Sequence, residues 1–506
     1  MKDVDNTSGG VTSPSLTGRA ERGSALMLVG TGSDVGKSIV ATAFCRIFLQ
    51  DGYHPAPFKA QNMALNSYAT PDGLEIGRAQ AIQAEAAGVP CETDMNPLLL
   101  KPNSDHSSQV ILNGKPIGNQ NARDYFRKEG REVLRQAVHD AFDRLSKRFN
   151  PIVMEGAGSI AEINLRDVDI VNMSMAQHAQ ACVILVSDIE RGGVFASVYG
   201  TISLLTPEER RLVKGIIINK FRGDMSLFDE GRKMLEQLCG IPVLGVLPYF
   251  TDIHIEEEDS LSLEKKQGEA AQGSGKVEVV VVLLRHISNF TDFDTLERDP
   301  RVHLYYSNNT DEIRKADIVI IPGSKSTIPD LMELRHNGCA QAILQAHHDG
   351  KTVVGICGGY QMMGEEVADP HHAESTVERM PGLGLLPIIT TLSEEKRTVQ
   401  VEFEYKDELC KGYEIHTGTS VGREDGKTHR SYRRSDKCWG SYIHGILDNP
   451  VVIDDLLSPH ISSPRNTSQP FDYHAYKQKQ YDLLASLVRK HVDMDRLYEI
   501  MKKSEK

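Results

Sequence analysis

The sequence predicts an α/β protein with two doubly wound parallel-sheet domains and a C-terminal helical extension. Short apolar runs rich in β-branched residues alternate with helical stretches, a pattern typical of strands buried on both faces. A polar, charged segment at 256–275 separates two such series. In addition, the 506 residues are too many for one ordinary core.

Helical stretches and strands can be assigned along the chain from the spacing of apolar residues. An amphipathic stretch at 124–147 is the clearest helix between the strands of the first series, and the last fifty or so residues have helical spacing. The predicted strands are 24–30, 151–158, 181–188, 214–220, 277–284, 316–323 and 352–359. We therefore expect a disordered leader at 1–24, a first domain at 25–255, a linker at 256–275, a second domain at 276–455 and the extension at 456–506.

Composition excludes several classes of protein. The net charge of −13 gives no general attraction to nucleic acid or to an anionic membrane. No apolar run approaches the 18–20 residues or so that a membrane helix needs, and the N-terminus lacks a signal-peptide core. The eight cysteines form no CxxC pair, so we expect reduced thiols in a cytoplasmic protein, without a zinc site or a disulfide framework.

A phosphate-binding loop follows the first strand. Gly30 is separated by five residues from Gly36, Lys37 and Ser38, at the point where a helix should begin. Glycines allow backbone N–H groups to approach phosphate, Lys37 can reach the β- and γ-phosphates, and Ser38 can ligate Mg²⁺. The pattern predicts ATP and Mg²⁺ as cofactors.

This loop is one residue longer than the common pattern and resembles that of the dethiobiotin-synthetase-like P-loop proteins. The resemblance implies phosphorylation of a carboxylate. It also implies that Lys59 lies near the phosphates, that Glu155 holds the metal or its water, and that Asn219 contacts adenine.

A nucleophilic cysteine is predicted in the second domain. Cys357 lies between a strand and a helix with glycines around it, which favours a sharp turn that exposes the thiol. The amides of Gly358 and of Gly323, at another strand end, are candidate oxyanion donors. The motif GICGGYQ resembles the nucleophile signature of class I glutamine amidotransferases, which implies glutamine as the nitrogen source.

The same resemblance points to His444 as the base, because the family places its histidine late, between a strand and a turn. His416 is expected to line the site or to order its loop. Many members carry a glutamate two residues after the histidine, but Ile446 occupies that position here. The third member of the site is therefore left open at this stage: it is absent, replaced from elsewhere or supplied by a backbone carbonyl.

The two domains in this order resemble the cobalamin-pathway glutamine amidotransferases over roughly residues 25–500. The blocks that carry the resemblance are 57–70, 77–102, 153–173, 188–201, 219–224 and 285–297, together with PGSKST, GICGGYQ and SYIHG. The resemblance implies a corrinoid partner: the b, d, e and g carboxylates of (adenosyl)cobyrinic acid a,c-diamide would be amidated, each at the expense of one glutamine and one ATP. Residues in these blocks that could contact corrinoid or nucleotide, or merely stabilise turns, are Asn62, Asn66, Asn289 and Asp292.

Three alternatives remain. The sister enzymes that amidate the a and c carboxylates of cobyrinic acid share the two-domain plan. A ParA-like partition ATPase would share the P-loop, but it needs no cysteine turn and usually carries a basic surface. A cysteine hydrolase with a regulatory P-loop domain would hydrolyse glutamine without ATP or a corrinoid.

Overall fold

The computed structural model describes residues 24–104, 107–121, 128–256, 263, 266–271, 275–461 and 471–504. Almost all of the predicted leader therefore lies outside the described residues. The strands of the first half are β1 Ala25–Gly30, β2 Ala56–Phe58, β3 Gln61–Met63, β4 Ser67–Ala69, β5 Glu75–Gly77, β6 Leu98–Ser104, β7 Ser107–Leu112, β8 Lys115–Asn121, β9 Ile152–Glu155, β10 Cys182–Asp188, β11 Val213–Phe221 and β12 Val243–Pro248. Its helices are α1 Lys37–Gln50, α2 Arg78–Ala86, α3 Lys128–Leu145, α4 Met173–Ala179, α5 Val194–Leu204, α6 Pro207–Leu212 and α7 Asp229–Cys239.

The first sheet is six-stranded and parallel, in the order β12-β11-β10-β1-β9-β2. Alternate residues of β1 point to opposite faces, so Met27 packs in one apolar cluster and Leu26 in another. Both faces are covered, as a doubly wound parallel sheet requires. The carboxyl ends of β1 and β9 lie side by side, which brings Gly30 and Glu155 to one edge of the sheet.

The second half contains another six-stranded sheet, in the order β15-β13-β16-β18-β24-β23. Its pairs are parallel except for β23 with β24. The strands are β13 Val277–Val282, β14 Ile287–Ser288, β15 Val302–Ser307, β16 Ile318–Ile321, β17 Gly323–Ser324, β18 Thr352–Ile356, β19 Glu366–Ala368, β20 Arg379–Pro381, β21 Ile388–Tyr405, β22 Glu408–Gly422, β23 Ser431–Ser435, β24 Cys438–Ser441 and β25 Ile443–His444. The helices are α8 Asp294–Arg298, α9 Thr310–Lys315, α10 Thr327–His336, α11 Cys339–His348, α12 Gly358–Met362, α13 Pro450–Leu457, α14 Tyr473–His491 and α15 Met494–Ser504.

The long antiparallel hairpin of β21 and β22 was not predicted. It belongs to a five-stranded sheet with β19, β20 and β25, and it reaches across to the first domain. There the Gln400 side chain donates to the backbone oxygen of Ala69 (3.0 Å), and the rings of Tyr413 and Tyr68 lie 4.6 Å apart. The hairpin thus connects the two domains near β4.

The C-terminal helices pack on the first domain. Tyr481, Leu484 and Val488 of α14 join the apolar cluster that contains Phe44 and Phe48 of α1. The extension therefore covers one face of the first sheet. Within the predicted linker, Leu263 is buried in the core of the second domain, and Gln267 forms a bridge with Tyr306.

The predicted fold class is confirmed: the chain has two doubly wound parallel sheets and helices at its C-terminus. The described helices include none with the length and apolar character needed to cross a bilayer.

Candidate active site

The phosphate loop is closed around the side chain of Lys37. Its ammonium donates to the backbone oxygens of Gly32 (2.9 Å) and Gly158 (3.0 Å). A Cβ atom at Gly30 would lie only 2.9 Å from the Lys37 nitrogen, which explains the glycine there. Burial lowers the pKa of Lys37 to about 8, with the nearby Lys59 charge acting in the same direction and Glu155 opposing both.

Glu155, at the end of β9, is the centre of a buried polar cluster beside this loop. Its Oε1 accepts hydrogen bonds from Ser38 (2.8 Å) and from Lys59 (2.7 Å). Its Oε2 accepts from Gln83 of α2 (2.7 Å). The structure therefore brings together the three predicted residues Ser38, Lys59 and Glu155, and it adds Gln83, which the sequence did not single out.

Asn219 lies beneath the loop rather than at its mouth. Its amide nitrogen donates to the backbone oxygen of Val35 (2.8 Å). Gly36 has φ of 94°, and a Cβ atom there would lie 2.1 Å from the same nitrogen. The contacts of Asn219 thus stabilise the loop, and its predicted contact with adenine stays a prediction.

Cys357 sits at the turn between β18 and α12. Its backbone has φ of 51° and ψ of −109°, a strained conformation for a residue with a side chain. The amide of Cys357 donates to the backbone oxygen of Ser441 (2.8 Å), and its thiol donates to the backbone oxygen of Ile415 (3.6 Å). Such a turn holds the sulfur at the carboxyl edge of the sheet.

His444 is held from behind by a carboxylate. The Nδ1–H of His444 donates to Asp292 Oδ2 (2.7 Å), and the amide of Gly445 donates to Asp292 Oδ1 (3.0 Å). Because Nδ1 is engaged by Asp292, Nε2 is the nitrogen left for the hydrogen bond with Cys357. Asp292 was predicted as a possible substrate contact, but the structure places it against His444. Ile446, where many relatives carry glutamate, is buried in the core.

The charges around His444 favour its protonated form. Burial by itself lowers the pKa of His444, but the charges of Asp292 and Cys357, and hydrogen bonds to both, raise the pKa by more. The net shift is upward. A histidine of this kind holds a proton that it can pass to a leaving group.

Backbone geometry distinguishes Gly323, a predicted oxyanion donor, from its neighbour Ser324. The amide of Lys325 donates to the backbone oxygen of His286, and bonded pairs alternate along an antiparallel ladder. Gly323 is therefore bonded to Ser288 in the ladder of β14 and β17. The amide of Ser324 points away from that ladder and lies 2.8 Å from the position of a Cβ on Gly358. These positions favour Ser324 over Gly323 beside Gly358, and the role of these amides as oxyanion donors stays a prediction.

A cavity beside Cys357 and His444 carries a buried set of charges. Glu75 of β5 lies between the ammonium groups of Lys101 (2.9 Å) and Lys396, and Lys325 lines the same cavity. Lys101 and Glu75 come from the first domain and Lys396 from the hairpin of the second. His416 also lines the cavity, stacked 3.7 Å from the ring of Tyr442. Residues of both domains therefore form the wall of the cysteine site.

Two known family models match this chain, one for each of its two domains. The CobQ/CobB/MinD/ParA nucleotide binding domain matches residues 26–263, and the CobB/CobQ-like glutamine amidotransferase domain matches residues 278–452. A curated cobyric acid synthase from Bacteroides fragilis is 66% identical, and the match covers 94% of this chain and 98% of the relative. Those from Phocaeicola vulgatus and Parabacteroides distasonis are 63% and 57% identical with the same coverage.

The chain belongs to the cobyric acid synthase family. Membership confirms the resemblance that the sequence motifs suggested, and it makes the chain a glutamine-dependent amidating enzyme. Because the two family matches each cover one of the predicted functional motifs, both the phosphate loop and the cysteine turn lie in domains of the expected kind.

Three asparagines predicted as substrate contacts in this cobyric acid synthase family member are buried. Asn62 donates to Gln80 of its own domain (3.2 Å). The other two bind across the domain boundary: the Ser67 amide donates to Asn289 Oδ1 (3.1 Å), and the Phe290 amide donates to Asn66 Oδ1 (3.3 Å). These contacts agree with the plainer alternative, in which the asparagines stabilise turns and interfaces.

Proposed function

We propose that the chain is a cobyric acid synthase, which amidates the b, d, e and g carboxylates of (adenosyl)cobyrinic acid a,c-diamide with nitrogen from glutamine. The observation that carries the proposal is that one chain holds both a complete phosphate loop and a cysteine–histidine–aspartate site. The relatives are named for the product, cobyric acid, and the substrate is the one that the sequence resemblance implies.

The phosphate loop activates the acceptor. A side-chain carboxylate oxygen of the corrinoid attacks the γ-phosphorus of ATP, the bond to the β-phosphate oxygen breaks, and an acyl phosphate and ADP are formed. Lys37 and Lys59 stabilise the negative charge that develops on the transferred group. We place the corrinoid at the carboxyl ends of the strands of the first sheet, because the reacting carboxylate must reach the γ-phosphate there.

Magnesium fits the oxygen ligands of this site. The Ser38 hydroxyl and the Glu155 carboxylate lie 2.8 Å apart on the wall of the loop, and Mg²⁺ prefers such ligands together with water and phosphate oxygens. When bound, the ion neutralises phosphate charge. The ammonium of Lys59 bonds to the same carboxylate (2.7 Å), so it lies beside the proposed metal ligands.

The cysteine site releases ammonia. The Cys357 sulfur attacks the side-chain amide carbon of glutamine, while the amides of Gly358 and Ser324 stabilise the oxyanion. The carbon–nitrogen bond then breaks, and His444 donates the proton that ammonia needs to leave. Water hydrolyses the thioester to glutamate. The ammonia attacks the acyl phosphate, a carbon–nitrogen bond forms, and inorganic phosphate leaves.

The reaction agrees with a cytoplasmic location, where ATP and glutamine are available. All eight cysteines are free thiols, as a reducing compartment maintains them.

Mass spectrometry of the corrinoid product tests the function. The purified chain is incubated with ATP, Mg²⁺, glutamine and either cobyrinic acid a,c-diamide or cobyrinic acid. We expect four mass steps, each replacing a carboxyl OH by NH₂, with the diamide. Two steps from cobyrinic acid, and none from the diamide, would instead identify the sister activity.

The remaining alternatives predict different products. A regulatory P-loop domain would allow glutamine hydrolysis without any amide on the corrinoid. A partition ATPase would hydrolyse ATP but leave glutamine intact, which does not agree with the glutamine amidotransferase match at 278–452.

A further inference from the structure

The turn that carries Asp292 is anchored by the first domain. This turn begins at Asn289, whose backbone is left-handed with φ of 52°, and the Asp292 amide donates back to the Asn289 oxygen (3.0 Å). Two buried hydrogen bonds join its start to the first domain, one from the Ser67 amide to Asn289 and one from the Phe290 amide to Asn66. Removal of either partner would leave a buried polar group unsatisfied.

A second connection runs through an aromatic ring. The ring of Tyr413 stacks on His444, with centroids 5.3 Å apart and planes 24° apart. The ring of Tyr68 of the first domain also contacts Tyr413, with centroids 4.6 Å apart and planes tilted by 59°. The Tyr413 hydroxyl donates to the Ser67 backbone oxygen and accepts from the Asn289 side chain, at 3.4 Å each. The face of the imidazole and the carboxylate behind it are thus both supported by residues 66–68.

The same residues are joined to the phosphate site. Arg78 is the first residue of α2, and its backbone amide donates to the backbone oxygen of Asn66 (3.3 Å). Further along this helix, Gln83 donates to Glu155 (2.7 Å). One short helix therefore lies between the carboxylate beside the phosphate loop and the segment that supports His444.

We propose that Asn66–Tyr68 of the first domain is a positioning element for His444. It holds Asp292 through Asn289 and Phe290 and holds Tyr413 through Ser67 and Tyr68, so the glutaminase site is complete only when the two domains are docked. The inference rests on the proposed function, since it assigns His444 the role of acid and base in glutamine hydrolysis. Asn66 and Asn289 are then positioning residues rather than corrinoid contacts.

Substitution of Asn289 by glycine tests the proposal. Glycine accepts the left-handed backbone, so N289G removes the side-chain bonds to Ser67 and Tyr413 without adding strain. In the full chain we expect kcat for glutamine hydrolysis to fall about 10- to 100-fold, because the base is misplaced. KM for glutamine should change little, and amidation driven by free ammonia should be unchanged.

Two further measurements separate positioning from a general structural role. D482N weakens a different contact of the first domain, the bond from Arg46 to Asp482 of the C-terminal helices, which leads neither to Asp292 nor to Tyr413, and it should retain full glutaminase activity. In a D292N background, N289G should cost less than it does in the wild type, because both changes act on the same imidazole.

A rise in KM for glutamine with kcat unchanged would make Asn289 a substrate contact and would overturn the proposal. Independent, additive losses in the double variant, or an equal loss in D482N, would also overturn it. None of these results would contradict the proposed function. That proposal fails only if the wild-type chain makes no corrinoid amide from glutamine.

Discussion

The phosphate site takes Lys37 and Ser38 from one loop and Glu155 from the adjacent strand, all within one domain. The cysteine site instead gathers Cys357, His444 and Asp292 from three separate turns and has walls from both domains. The residues named for the first site all lie in one domain, whereas we propose that the second site depends on how the domains dock. The comparison suggests that the ATP site needs residues of one domain only. The release of ammonia, in contrast, is the step whose rate the first domain can influence.

The largest effect is expected from removal of the lysine of the phosphate loop. K37A should reduce amidation on the order of 10³-fold with glutamine and with ammonia alike, because both nitrogen sources need the acyl phosphate. Corrinoid amides counted by mass spectrometry give the measurement. K233A, an exposed lysine of the same domain, is the matched control and should be fully active. Amidation from ammonia by a folded K37A protein would show that the two sites are not divided as proposed.

At Asp292 the expected effect is narrower, because it is confined to one nitrogen source. D292N should slow glutamine hydrolysis on the order of 10²- to 10⁴-fold, because the imidazole loses the charge that orients and stabilises it. Amidation from ammonia should persist. D311N, at an exposed position of the same domain, serves as control.

The pH dependence of glutamine hydrolysis tests how Asp292 acts on His444. Asp292 contributes to the raised pKa of His444, so its loss should lower that pKa. The activity remaining in D292N should then decline at a lower alkaline pH than in the wild type, because His444 loses its proton earlier. A pH profile of glutamine hydrolysis measures this shift. An alkaline limb that does not move would mean that Asp292 does not set the protonation of His444.

Substitution of Glu75 should have the smallest effect on the rates of the two reactions. Its effect on the free energy of unfolding should be large. Burial raises the pKa of Glu75, but Lys101 and Lys396 outweigh it and hold the pKa far below its usual range. This contribution to stability is present at neutral pH and is lost as acid protonates the carboxylate. E75Q leaves two buried ammonium groups unpaired, so it should lower the free energy of unfolding by about 3–5 kcal/mol.

Denaturant unfolding followed by fluorescence measures this loss for E75Q. E230Q, which breaks an exposed ion pair with Lys233, should change the free energy by less than about 1 kcal/mol. Equal losses in the two variants would mean that the buried charges do not stabilise the interface.

The phosphate loop could be predicted because its residues are contiguous and follow a strand, so local spacing defines the geometry. The partner of His444 could not be predicted in this way. Asp292 lies 152 residues earlier in the sequence, on a turn whose position depends on contacts with the other domain. The hairpin of β21 and β22 was missed although its sequence carries a signal: apolar and polar residues alternate in VQVEFEY at the end of β21, as in a half-buried strand. Ser324 was not considered as an oxyanion donor because the register of the β14–β17 ladder, which decides where its amide points, depends on the folded structure.

Replacement of the nucleophile tests the central claim most directly. C357A is incubated with ATP, Mg²⁺ and cobyrinic acid a,c-diamide, with either glutamine or a high concentration of ammonium, and the amides on the corrinoid are counted by mass spectrometry. We predict no amide from glutamine and four from ammonium, because only the nitrogen source has been removed. Amides formed from glutamine by C357A, or loss of the ammonium reaction in a folded variant, would contradict the division of labour between the two sites.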